Sequence, residues 1–97
     1  MIDDSARFNQ SLAFSACIIK DAELSLKMLK VLMEMGVDCQ KEDSLKQIPL
    51  FYASREGHLN VISHLVNVGS PNVLNRQDKY GQTAIYYAVR EGHIRVV

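Results

Sequence analysis

Apolar positions along this chain recur with helical spacing, in short segments that close on glycine. Leu24 to Met35 is dense in leucine and methionine and ends at Gly36, with Asp21 placed to cap its start. Further on, Val61, Ile62, Leu65 and Val66 form one apolar face of a helix over 59–67 that stops at Gly69. Pro49 has the fixed φ that suits a first helical turn, and Gly57 can take the left-handed conformation that ends such a helix about two turns later. Near the amino terminus Phe8, Leu12, Ala13, Ala16 and Ile19 share a face of a helix starting near Asp4 or Ser5. The pattern predicts short helices in antiparallel pairs, an all-α chain.

The segments repeat. Residues 78–97 align with residues 43–62, and the block Tyr-Ala-x-Arg-Glu-Gly-His occurs at 52–58 and again at 87–93. Gly57 and Gly92 are 35 residues apart, Gly36 and Gly69 33 apart. Two extra residues fall between Gly69 and Asp78, where Ser70-Pro71-Asn72 interrupts any helix. One such helix pair cannot bury its apolar faces alone, so neighbouring units must stack.

A unit of about 33 residues is the length of an ankyrin repeat, and the chain resembles that family. Asp43, Pro49, Leu50, Ala53, Gly57, His58, Val61, Leu65, Val66 and Gly69 match its pattern in the middle unit; Asp78, Gly81, Thr83, Ala88, Gly92, His93 and Val96 match in the last. The resemblance implies a solenoid of stacked antiparallel helix pairs joined by hairpin-like loops. Its expected units are an atypical amino-terminal capping repeat over 1–42, a repeat over 43–77 and a truncated repeat over 78–97. The last unit stops early in its second helix, so the chain reads as cut from a longer array, marginal as a monomer and open to self-association at that uncapped end. Lys46 stands where the family has a turn glycine, Ile48 replaces its Thr and Phe51 its His, while Ala84 and Tyr86 replace Pro and His. The hairpin before Ile48 is therefore expected to be less regular, with apolar contact replacing the family's Thr–His hydrogen bond.

Composition narrows the function. Eleven basic residues balance eleven acidic ones, so no field gathers nucleic acid or an anionic membrane. The apolar runs fall short of the roughly 20 residues of a membrane helix, and the acidic Met1-Ile2-Asp3-Asp4 is unlike a secretory signal. Cys17 and Cys39 have no CxxC spacing and read as reduced thiols of an intracellular protein, cytoplasmic or nuclear.

No catalytic, cofactor or metal site emerges. His58 and His93 follow the helix-ending glycines and read as structural; His64 lies on a polar helix side with no nucleophile arranged around it. Glu56 and Glu91 occupy equivalent positions of successive units, spaced about 10 Å by helix packing, and read as a ladder of charges. Met28, Met33 and Met35 read as core of the first unit. The resemblance implies a protein or peptide partner on the hairpin tips and the concave side of the inner helices: Ser44, Leu45, Gln47, Arg55, Glu56, Lys79, Tyr80, Gln82, Arg90 and Glu91. The alternative is a regulatory or targeting segment of a larger enzyme, such as a kinase, acyltransferase or histone methyltransferase. A third reading, a modified-lysine cage, would draw on Tyr52, Tyr80, Tyr86 and Tyr87.

Overall fold

A computed structural model describes residues 12–70 and 72–94. Helical residues 12–17 (α1) precede α2 (Ala22–Glu34), α3 (Pro49–Glu56), α4 (Leu59–Val68), a 3-10 turn (Val73–Asn75) and α5 (Ala84–Arg90). There is no strand among the described residues. The expected helix start near Asp4 or Ser5, Phe8, Pro71, Val96 and Val97 lie outside them.

Local causes set the start of α2 and both ends of α3. The Asp21 carboxylate accepts hydrogen bonds from the backbone N–H of Glu23 (3.0 Å) and Leu24 (3.3 Å), satisfying two of the free donors at the start of α2. Pro49 is the first residue of α3, and Gly57 ends that helix at φ 73°. Gly57 is doubly constrained, because a Cβ there would come within 2.5 Å of the His93 ring. His58 and His93 then lead into the chain beyond each inner helix.

α3 packs on α4 and α5, while α2 packs on α4. Their shared core contains Leu29, Leu50, Phe51, Ala53, Val61 and Leu65, and extends to Ala13, Ala16 and Cys17 of α1. Both cysteines are free and buried. Burial pushes the Cys17 thiol up to about 12 and the Cys39 thiol up to about 11, with negative charge on Cys39 and Asp38 respectively adding to the effect. Histidines stitch the units together through backbone. His58 Nε2 lies 2.6 Å from the Ile19 carbonyl, and His93 Nε2 is 2.6 Å from the Arg55 carbonyl. A carbonyl can only accept, so Nε2 carries the proton in both rings. Asn60 adds a bond from its side-chain amide to the Ala22 carbonyl at 3.0 Å.

Two expectations need correction. The hairpin before Ile48 is as regular as the one before Thr83: Asp43 N–H donates to Gln47 O and Asp78 N–H to Gln82 O, each at 2.9 Å. Lys46 accepts a left-handed φ of 60° where the later hairpin has Gly81 at 77°. The aspartate at the base of each loop imposes that geometry, outweighing the conformational cost at lysine. Of the three methionines assigned to the first unit's core, only Met33 packs partly against it; Met28 is exposed, and Met35 is 72% exposed. Leu24, Met28, Val31 and Met35 instead form an exposed stripe, because Ser25, Leu29 and Leu32 turn the buried face of α2 away from them. The expected loss of the Thr–His bond holds, with Ile48 and Phe51 both buried in apolar contact.

Candidate protein-binding surface

The two hairpins are built by the same device. Oδ1 of Asp43 accepts from the N–H of Leu45 and Gln47, and Oδ1 of Asp78 from the N–H of Tyr80 and Gln82, all at 2.9 Å. The second carboxylate oxygen of each reaches into the following helix, where Tyr52 OH donates to Asp43 Oδ2 at 2.6 Å and Tyr87 OH donates to Asp78 Oδ2. A hairpin tip and the inner helix after it are thereby one rigid piece. The pieces also join to each other, since Lys79 N–H donates to the Leu45 carbonyl at 2.8 Å.

Gln47 and Arg55 extend the join through side chains. Gln47 Nε2 donates to Asp78 Oδ2 (2.9 Å) and to Tyr87 OH (3.2 Å), while its Oε1 accepts from Arg55 Nη2 at 2.6 Å. The Arg55 guanidinium lies 5.0 Å from the Tyr52 ring centroid and 4.6 Å from that of Tyr87; Arg90 stands 5.1 Å from the Tyr87 ring. Phe14 packs on Tyr52 with centroids 4.7 Å apart. The contacts run Phe14, Tyr52, Arg55, Tyr87, Arg90, with ring and guanidinium alternating from Tyr52 onward.

The electrostatics follow. Burial alone would raise the Asp78 carboxyl, but donors from Tyr87, Gln82, Gln47 and Tyr80 outweigh it and hold it at about 2. Burial raises the Tyr87 phenol, and the hydrogen bond to Asp78 and its charge raise it further. Tyr52 is pushed up to about 12 by burial and by Asp43, with Arg55 pulling the other way.

The expected partner-facing residues divide into two groups. Ser44, Glu56, Lys79, Tyr80, Arg90 and Glu91 are exposed, Tyr80 by 63%, and Leu45, Arg55 and Gln82 are partly exposed. Gln47 does not belong to the surface: it is 1% exposed, because its amide is enclosed by the Asp78–Tyr87–Arg55 cluster. The tyrosine cage for a modified lysine is likewise filled from within, by the guanidinium of Arg55 between Tyr52 and Tyr87. Motif reading passed over Gln47 and Tyr87 as coupling residues. Their signal was present as Asp-x3-Gln-x4-Tyr-x2-Arg, which occurs at 43–55 and at 78–90.

The profile of the ankyrin repeats, in three copies, matches residues 14–97. The chain belongs to the ankyrin-repeat family. No curated protein matches it. Ankyrin repeats are in general protein–protein interaction modules and are typically non-catalytic. In this ankyrin chain, no helix among the described residues is long and apolar enough to cross a membrane. Nor do three or more His, Cys, Asp or Glu side chains stand together, among the described residues, where they could hold a metal ion.

Proposed function

We propose that this ankyrin array binds a protein or peptide partner on the surface formed by its hairpin tips and the exposed side of its inner helices, and carries no chemistry of its own. The observation that carries the reading is the preorganisation of exposed anchors. Tyr80 is 63% exposed, yet its own N–H is held by Asp78 and the preceding N–H by the Leu45 carbonyl. Arg90, also exposed, rests on the Tyr87 ring. A partner meeting such side chains loses little conformational entropy on binding, and aromatic and arginine side chains dominate interface energies. Ser44, Leu45, Glu56, Lys79, Gln82 and Glu91 complete the surface. Balanced charge favours a protein over nucleic acid or a lipid surface, and two buried, unpaired thiols fit the cytoplasm or nucleus.

Affinity capture with the parent protein, read by mass spectrometry, tests the reading. Tyr80→Ala and Arg90→Ala, each made separately, should weaken a native partner more than tenfold while leaving the unfolding transition in place. Capture unchanged by either variant would refute partner binding here and favour an array packed inside a larger enzyme.

A further inference from the structure

α2 carries an apolar stripe that stacking of the units does not account for. Leu24, Met28, Val31 and Met35 are all exposed, and they follow one another at intervals of four, three and four residues, the spacing of a coiled-coil seam. Aligned on the closing glycines Gly36 and Gly69, the same positions in the middle unit are Gly57, Val61, His64 and Val68. The middle unit has a neighbour on its amino-terminal side, since α2 packs on α4, and of these four residues only Val61 is buried there; Gly57 and His64 stay partly exposed and Val68 exposed. Leu24 also lies in a first helical turn that α4 lacks. Leu24, Val31 and Met35 therefore stand clear of the face that an adjoining unit covers. The flanks of the stripe differ. On one side Ser25 and Leu32 turn into the core; on the other stand Lys27 and Glu34, exposed, opposite in sign and seven residues apart. Neither forms an ion pair among the described residues.

We propose that this stripe is a contact between two copies of the chain, each laying its α2 antiparallel across the other. A two-fold axis between Met28 and Val31 brings Leu24 of one copy to Met35 of the second, Met28 to Val31, and Lys27 to Glu34 twice over. A parallel pair sets lysine beside lysine and glutamate beside glutamate, so the charges select the antiparallel arrangement. Removal of the four apolar side chains from water drives the association, and the Lys27–Glu34 pairs fix its direction and register. With a single helix from each copy, the interface falls in the small, weak class. None of its residues belongs to the hairpin and inner-helix surface, so one dimer presents that surface twice, and a partner with two matching segments is held by both.

Sedimentation equilibrium of the 97-residue chain, carried to millimolar concentration, reads the balance of monomer and dimer. The chain should dimerise, and Val31→Glu should weaken the dimer at least tenfold while its circular dichroism spectrum and urea midpoint stay unchanged. Lys27→Glu alone should weaken it about threefold or more, and adding Glu34→Lys to the same chain should restore association to about the wild-type level, because the exchanged charges again meet their opposites. Orientation is read by oxidative cross-linking. A mixture of Leu24→Cys and Met35→Cys chains should form a disulfide-linked dimer several times faster than either chain alone. A chain that stays monomeric at millimolar concentration would overturn the proposal, whether the stripe is bare or covered by residues 1–11. So would a dimer that persists in the Val31→Glu variant, which puts the contact on another face, a charge exchange that fails to restore association, or cross-linking no faster in the mixture.

Discussion

Replacing one buried glutamine and its partly exposed repeat counterpart separates the two roles of a repeated sequence. Gln47→Ala removes hydrogen bonds to two charged groups, the Asp78 carboxylate and the Arg55 guanidinium, and one to the Tyr87 hydroxyl. A hydrogen bond to a charged group is worth about 1.5–3 kcal/mol. The low end applies here, because Asp78 keeps its donors from Tyr87, Tyr80 and Gln82, and the partly exposed Arg55 can regain water. The expected loss is about 2–4 kcal/mol, a large share of the stability of a domain this size. Gln82→Ala changes the same residue type at the equivalent position, where no side-chain hydrogen bond forms among the described residues, and should stay within about 0.5 kcal/mol. Urea unfolding followed by circular dichroism measures both. With a slope of about 1.5 kcal/mol per molar, Gln47→Ala should lower the midpoint by roughly 1–3 M and Gln82→Ala by less than about 0.4 M. A double-mutant cycle of Gln47→Ala with Arg55→Ala should return about 1–3 kcal/mol of coupling. Equal midpoints for the two alanine variants would refute the claim that Gln47 couples the units.

Three further outcomes follow from the same geometry. The Asp78 carboxyl titrates at about 2 in the fold against 3.8 for an unperturbed aspartate, so its contribution is complete above pH 4 and is lost as pH falls toward 2; Asp78→Asn should flatten that stretch of a stability–pH curve, and an unaltered slope would contradict the assignment. Lys46→Gly relieves a left-handed φ at a non-glycine residue and should raise stability by about 0.5–1 kcal/mol, a result checked by urea midpoint and contradicted by a lower one. Cys17 and Cys39, with thiols raised to about 12 and 11 and buried side chains, should react with a thiol reagent at least a hundredfold more slowly in the native chain than in denaturant. Equal rates would show that the core around α1 opens freely.

The local rules were legible in the residues themselves. Asp21, Pro49 and Gly57 set helix boundaries by capping, fixed φ and left-handed φ, which depend only on neighbours in the chain. The recurrence at 35 residues identified stacked helix pairs, because apolar faces at helical spacing have nowhere else to be buried. Tertiary structure decided what a repeated residue does. Gln47 and Gln82 occupy the same position of the unit, yet the first is enclosed and the second partly open, because burial depends on whether a neighbouring unit covers that face. Met28 and Leu29 are neighbours in one helix dense in leucine and methionine, and the direction from which α4 arrives separates surface from core. The regular turn at Lys46 likewise arises from the Asp43 carboxylate binding backbone across the loop, a geometry in which the enforced φ costs less than the bonds return.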